Sequence, residues 1–387
     1  MTDSPKTKII VCCGTGGVGK TTTSAALSLS LATQGARVVT ITIDPAKRLA
    51  DALAIEHLCG VPTPVPVGRL FANHNSDEST PNGGSLDAMM LDVKAMFDEV
   101  VIRHAPDQAT SDRLLTSRYY ELVSEKLAGS AEYMAIEQLY KLYTDYTYDV
   151  IVVDTPPSVN AVDFLTAPER LSAMMSDSVI RWMSAPKSPR GMRLFERGSR
   201  TIMTVMKKMI GQTTVTEIAE FFELISGLAE GFRTRSGEMI SLLKSPCTSF
   251  LLVTSPAASA VDDTIVFRNQ LQSEGFPLGG VVVNRVTPTL TNVDAGSLEE
   301  TLAHGDNELS TEQRCGLVEQ LLELQHNQKQ QAEADNLVAE EMSKLSPTWT
   351  VPTMNVEISE LSSLFTLSSS LNEAAEALTP HLFRIHR

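Results

Sequence analysis

The sequence predicts an α/β protein, a doubly wound and mostly parallel sheet carrying an inserted helical subdomain. Three observations lead there. Apolar runs of strand length alternate with helical stretches up to residue 154, the pattern of a sheet covered on both faces. Residues 149–154, Asp-Val-Ile-Val-Val-Asp, include an unbroken apolar run, as a strand buried on both sides requires. A glycine-rich turn at 14–19 joins the first strand directly to a helix, which is how such a fold opens a ligand crevice.

Taken in order, Lys8 to Cys13 form the first strand, and a helix runs from Thr22, with Ala25, Leu29 and Ala32 on one face, to Gln34-Gly35. Arg37 to Ile43 is a β-branched strand that ends on Asp44-Pro45-Ala46. Val61 to Gly68 alternates Pro with Val, and Asn73 to Gly84, polar with Pro and Gly, reads as a mobile surface loop. Leu86 to Leu91 is a short strand, and Val93 to His104 and Glu132 to Tyr146 are helices. From Leu165 to Lys244 the chain reads as helix without a strand. The sheet returns at Thr248 to Thr254, Gly279 to Asn284 and Thr348 to Val351. A polar, Gln-rich helix fills Thr311 to Lys344, and Glu357 to Leu378 finish as helix. There is no internal repeat.

With 387 residues, 42% of them hydrophobic, the chain can bury a full core. Thirty-two Lys and Arg against 47 Asp and Glu give a formal charge of -15, which repels phosphate backbones and argues against nucleic-acid binding. Five cysteines without a C-x-x-C pair suit a reducing compartment and imply no structural zinc. A polar start and the lack of a long apolar run predict no signal peptide and no membrane span, hence a cytoplasmic protein.

The chemistry begins at Gly14-Thr15-Gly16-Gly17-Val18-Gly19-Lys20-Thr21, which fits G-x-x-x-x-G-K-[ST] between a strand and a helix. A chain wrapped around a polyphosphate must turn its N–H groups inward, through conformations that side chains block. Lys20 adds a point charge for the outer phosphates, Thr21 a hydroxyl for Mg²⁺, and the helix aims its positive end at the anion. Asp154, ending a buried strand ahead of Thr155-Pro156-Pro157, is placed to hold the shell of the metal. Asp44, at another strand end, can orient or deprotonate an attacking water and also serve the metal.

These residues resemble a known family. Gly14 to Thr22 is similar to the deviant Walker A loop of the MinD/ParA/ArsA ATPases, Asp44-Pro45-Ala46 with Leu49 and Asp51 resembles its switch I, and Asp154 to Ser158 its switch II. Asn284 matches the adenine-recognising position, and Pro352 to Leu361, Pro352 and Met354 included, resembles the adenine-side loop. The match points to the ArsA branch, which includes arsenite-pump ATPases and the ATPase that targets tail-anchored membrane proteins. Its pattern is most similar to the actinobacterial paired ArsA-like ATPases of BagB type. The resemblance implies a SIMIBI-like P-loop NTPase with ATP and Mg²⁺ as cofactors, acting as a dimer. It divides the chain into a nucleotide-binding core at 1–164, a helical insert at 165–245 and the adenine side of the core at 246–387.

Three departures qualify the likeness. The lysine that the family's loop sends across a dimer interface is Thr15 here, and a hydroxyl cannot neutralise transition-state charge. The zinc clasp is absent, Cys315 standing alone. The thiolate cluster that a metalloid pump needs is not reproduced by Cys59, Cys247 and Cys315. Besides these three, the position of a carboxylate the family often uses falls at Ala257. The insert concentrates Met174, Met175, Met183, Met192, Met203, Met206 and Met209, seven of 15 methionines, and Phe195, Ile202, Met206 and Met209 recur at helical spacing in a stripe opposite Arg197, Arg200, Lys207 and Lys208. Such a stripe is read as core, as a groove for an apolar client or partner, or as a peripheral membrane face.

The expected function is therefore a Mg²⁺-ATP-dependent switch, either a homodimer or a heterodimer with a lysine-bearing paralogue, acting on an apolar protein segment. A noncatalytic nucleotide-binding subunit is the alternative, and an arsenite-pump role a lesser one.

Overall fold

The computed structural model describes residues 7–71, 77–121, 130–155, 228–289, 293–305, 310–354 and 360–380, with residues 167, 217, 220, 221 and 223–225 between them. Eight strands, β1 (Lys8–Cys13), β2 (Arg37–Thr42), β3 (Thr63–Pro64), β4 (Ser85–Met90), β5 (Val150–Asp154), β6 (Thr248–Thr254), β7 (Leu278–Val286) and β8 (Thr348–Pro352), make one sheet in the order β3-β4-β2-β5-β1-β6-β7-β8. Among the described residues β3 alone runs antiparallel to its neighbour. The sheet is thus the doubly wound, mostly parallel one that the sequence predicts.

Alternation along the strands sorts the core into two layers. Ile9, Val11 and Cys13 of β1 join Ile151, Val153, Phe250 and Leu252 on one face. Ile10 and Cys12 join Val150, Val152, Leu251 and Val282 on the other. All of these are inaccessible or nearly so, each Val, Ile, Leu or Phe contributing about 1.5–3 kcal/mol relative to exposure.

On the second face lies α1 (Lys20–Thr33), buried at Lys20 and from Thr23 to Ala32. Ser24 Oγ donates to Lys20 O and Ser28 Oγ to Ser24 O within the helix, while Ser30 Oγ donates to Asn372 Oδ1, so a polar helix can sit inside. The short helix α2 (Arg48–Ala52) follows β2, and α3 (Val93–His104), α4 (Gln108–Leu115) and α5 (Ser130–Asp145) fill the stretch before β5. Asp92 and Asp107 cap α3 and α4 through Ala95 N and Thr110 N, as short acidic side chains do at helix starts. The first face is covered by α3, α5 and α6 (Ala229–Leu243), whose Met96, Tyr133 and Phe232 enter the same apolar cluster. Further on come α7 (Ala258–Ser273), α8 (Ala295–Gly305), the long α9 (Thr311–Ser343), α10 (Leu361–Ser368) and α11 (Asn372–Leu378). A capping box of Ser310 and Gln313 starts α9.

One short strand is added and one local reading changes. Val61 to Gly68 supplies the edge strand β3 and a 3₁₀ turn at Val67–Leu70, because Val65 and Val67 bury completely. The described part of the supposed mobile loop is fastened down. Thr80 is buried, its Oγ1 donates to Ala32 O, and Asn82 Nδ2 donates to Thr33 O, so this turn caps the carbonyl end of α1. The methionine stripe of the insert lies outside the described residues, as do residues 156–166.

Candidate functional site

The carboxyl ends of β1, β2 and β5 meet at one corner, since Cys12 and Thr42 both pair in register with Asp154. This is where an open parallel sheet accommodates ligands. Gly14 to Gly19 leave β1 there and turn into α1. A Cβ at Gly14 would strike the carbonyl oxygen of Val253, and one at Gly19 the amide nitrogen of Asn284. Gly17 and Gly19 have φ of 80° and 92°, in the left-handed region that glycine adopts without strain. Gly16 and Gly17 are exposed, Thr15 and Thr22 half-buried, and Val18 is buried against Val253 and Ala260. The loop is a cradle shaped by excluded side chains, with its rim open.

Lys20 is 5% exposed, and its Nζ donates to Gly14 O and Thr15 O, both at 2.8 Å. Burial lowers its proton affinity, while the charge of Asp154 works the other way. Two loop carbonyls thus hold an ammonium group at the cradle, where it can be passed to a phosphate oxygen. Thr21 Oγ1 donates to Asp154 Oδ2 at 2.8 Å, and Thr42 Oγ1 donates to the same oxygen at 3.0 Å. Asp154 Oδ1 is buried without a partner. Burial pushes this carboxyl up to about 6, against the two hydroxyls that lower it. An oxygen left bare in this way is costly unless a cation or donor meets it.

Asp44 sits just past β2, where its Oδ1 accepts from Ala46 N at 3.0 Å and its Oδ2 lies 3.4 Å from Arg48 Nη1. It is half-buried. Asn284 Nδ2 donates to Val18 O at 2.8 Å, so the amide braces the loop from β7. A bulge beside it, with Arg285 at φ 64°, breaks the ladder next to the site, as bulges near ligand sites do. Pro352 ends β8 opposite Val286, Thr353 N donates to Val286 O, and Met354 packs half-buried on the second apolar layer. Ala257 caps α7 with no side-chain bond.

The structure therefore brings together Gly14 to Thr22, Asp44, Asp154 and Asn284, with Pro352 and Met354 at the end of the neighbouring edge strand, β8. Sequence reasoning missed Thr42, Arg48 and the bracing role of Asn284. Thr42 is signalled only by its polarity, which Thr40 of the same buried strand shares. Arg48 had a plainer signal in the Lys47-Arg48 pair just after the acidic tip.

The residues suit a Mg²⁺-nucleotide. The cradle has no room for a Cβ at Gly14 or Gly19, the helix N-terminus faces it, and Thr21 with the bare oxygen of Asp154 presents the hard oxygen donors that Mg²⁺ takes directly or through water.

The family model for anion-transporting ATPases matches residues 7–311. A protein of Aquifex aeolicus (strain VF5) named as an arsenical pump-driving ATPase is 25% identical over 292 residues, 73% of this chain and 64% of its own length. ATPase asna-1 of Caenorhabditis elegans is 25% identical over 277 residues, 70% of this chain and 72% of its own. ATPase GET3B of Arabidopsis thaliana is 25% identical over 308 residues, 74% and 66%. The chain thus spans under two thirds of the first of these relatives. The family match runs through the phosphate loop, both acidic strand ends and Asn284, and the chain belongs to the anion-transporting ATPase (ArsA) family, a family of ATPases.

Proposed function

We propose that this chain binds ATP with Mg²⁺ at the corner of β1, β2 and β5 and hydrolyses it to ADP and phosphate. The observation that carries this is the unpartnered Oδ1 of buried Asp154 beside Thr21, at the foot of the glycine cradle. The loop amides and Lys20 bind the β- and γ-phosphates, and Thr21 with Asp154 holds the metal. When bound, Mg²⁺ neutralises charge on the phosphate oxygens. Asp44 orients the attacking water and takes its proton. Asn284, Pro352 and Met354 form the adenine side.

The chain acts as a dimer in the cytoplasm, through a helical insert at 165–245 that answers the nucleotide and engages an apolar protein segment. The names of the arsenical-pump, asna-1 and GET3 relatives support the ATPase part of this reading. No helix among the described residues is long and apolar enough to cross a membrane. Contact with a membrane surface remains compatible with the insert's basic face. Thr15 in place of a lysine favours a second reading, in which the chain is the lysine-lacking half of a heterodimer or a noncatalytic nucleotide-binding subunit.

Calorimetric titration with Mg²⁺-ATP and a phosphate-release assay on the chain alone test the proposal. Saturable binding that Lys20→Ala weakens on the order of 100-fold supports it. Unchanged affinity in that variant refutes the site. Binding without turnover selects the noncatalytic reading.

A further inference from the structure

The crevice contains a cation that the motifs do not include. Arg48 opens α2 one turn beyond Asp44, with its Nη1 3.4 Å from Asp44 Oδ2. The arginine side chain is 62% exposed and that of Asp44 16%, so the guanidinium reaches in from the rim and can leave. An ion pair this open contributes little to stability. Arg48 is also close enough to Lys20 for its charge to act there, adding to the larger effect of burial. Lys20, held by the carbonyls of Gly14 and Thr15 until a phosphate takes it, is the one motif cation, and Thr15 has no charge to offer.

We propose that Arg48 is a second phosphate-binding cation of this site, exchanging Asp44 for the γ-phosphate of a bound nucleoside triphosphate. The proposal rests on the nucleotide reading above. A terminal phosphate carries more charge than a carboxylate and meets a guanidinium fork with two oxygens. Asp44 stays in place through the exchange, because Ala46 N holds its other oxygen. The exchange frees Oδ2 to face water. In hydrolysis the water oxygen bonds to the γ-phosphorus while the bond from that phosphorus to the β,γ-bridging oxygen breaks. The electron pair leaves on ADP, the water's proton passes to Asp44, and Arg48 remains on the γ-oxygens. Positive charge supplied from within the chain has the same effect as charge supplied across an interface.

The test is equilibrium binding to the full chain, with Mg²⁺ present, of ADP, an imido-bridged ATP analogue and ADP with aluminium fluoride. Arg48→Ala is expected to weaken the analogue and the aluminium fluoride complex about tenfold or more while ADP stays within about twofold. Arg48→Lys retains part of the difference, and Lys47→Ala behaves as the unaltered chain. Equal losses for ADP and the triphosphate analogue, no loss for either, or a matching effect of Lys47→Ala would overturn the assignment. If the unaltered chain binds none of the three, the nucleotide reading itself is wrong.

Discussion

Asp154 at the end of β5 and Glu137 within α5 are both 0% exposed, yet their surroundings differ. Burial raises the proton affinity of each, and each leaves one oxygen unpartnered. The contrast is in charge. Glu137 Oε1 takes Arg103 Nη1 at 3.0 Å and Arg235 Nε at 2.9 Å, joining α3, α5 and α6 through one carboxylate. Around Asp154 the bonded groups are two neutral hydroxyls, while Lys20 is bonded to loop carbonyls instead. A carboxylate matched by guanidinium groups holds helices together. One left among hydroxyls is matched only when a cation arrives, which is a property of a binding site.

The largest effect is expected at the matched carboxylate. Glu137→Ala takes the buried carboxylate from Arg235, which is 16% exposed and keeps only Glu238 at 3.7 Å and the Tyr140 ring, and leaves Arg103 with Glu99. Removing one member of a buried ion pair costs about 3–5 kcal/mol. Urea denaturation should show that loss, while nucleotide affinity of the folded fraction is unchanged. A parallel fall in affinity would show that the α3–α5–α6 seam and the phosphate corner are coupled, and would end the contrast.

At the unmatched carboxylate the expected outcome reverses. Asp154→Asn keeps an oxygen for Thr21 and Thr42 but removes the charge that the proposed Mg²⁺ site requires. Turnover should fall on the order of 10²–10³-fold, and the gain in ATP affinity on adding Mg²⁺ should vanish. Stability should hold or rise, since a desolvated charge has been replaced by a neutral group. Phosphate release, Mg²⁺-dependent titration and denaturation measured on the same protein would show whether function and stability part company here.

Sequence and structure agree where the signal is local. The loop from Gly14 to Thr21, Asp44 and Asp154 could be read from motif and strand ends, because a phosphate cradle needs glycines at fixed spacing and strand ends define the crevice. Thr42 and Arg48 could not be ranked that way. Their importance comes from register, which sets Thr42 beside Asp154, and from the bend at 44–47 leading into α2, which brings Arg48 back to Asp44. Strand β3 was hidden for a related reason. Pro-Val alternation looks like a loop until Val65 and Val67 find a core to fill. Thr80 similarly reads as loop polarity, yet its bond to Ala32 O is a contact across 48 positions. Polar residues that close long-range bonds carry no periodic signature, so they are the part of the fold least visible in the chain.

Asn284 offers the smallest and sharpest test, because one side chain braces the loop and, in the proposed site, also meets the adenine. Val18 O can only accept, so the amide nitrogen must face it, and the amide oxygen is free for another donor. An adenine amino group is such a donor, whereas guanine presents a carbonyl at that edge. Asn284→Asp keeps the acceptor and removes the donor. It should lower stability by about 1 kcal/mol through the lost brace on Val18, yet preserve the preference for ATP over GTP. Asn284→Ala should lose the brace and the preference together. Competition binding of the two nucleotides, set beside thermal unfolding, separates these roles. If the alanine variant keeps its preference for ATP, Asn284 serves the loop alone, and adenine must be recognised from the Pro352 to Met354 side.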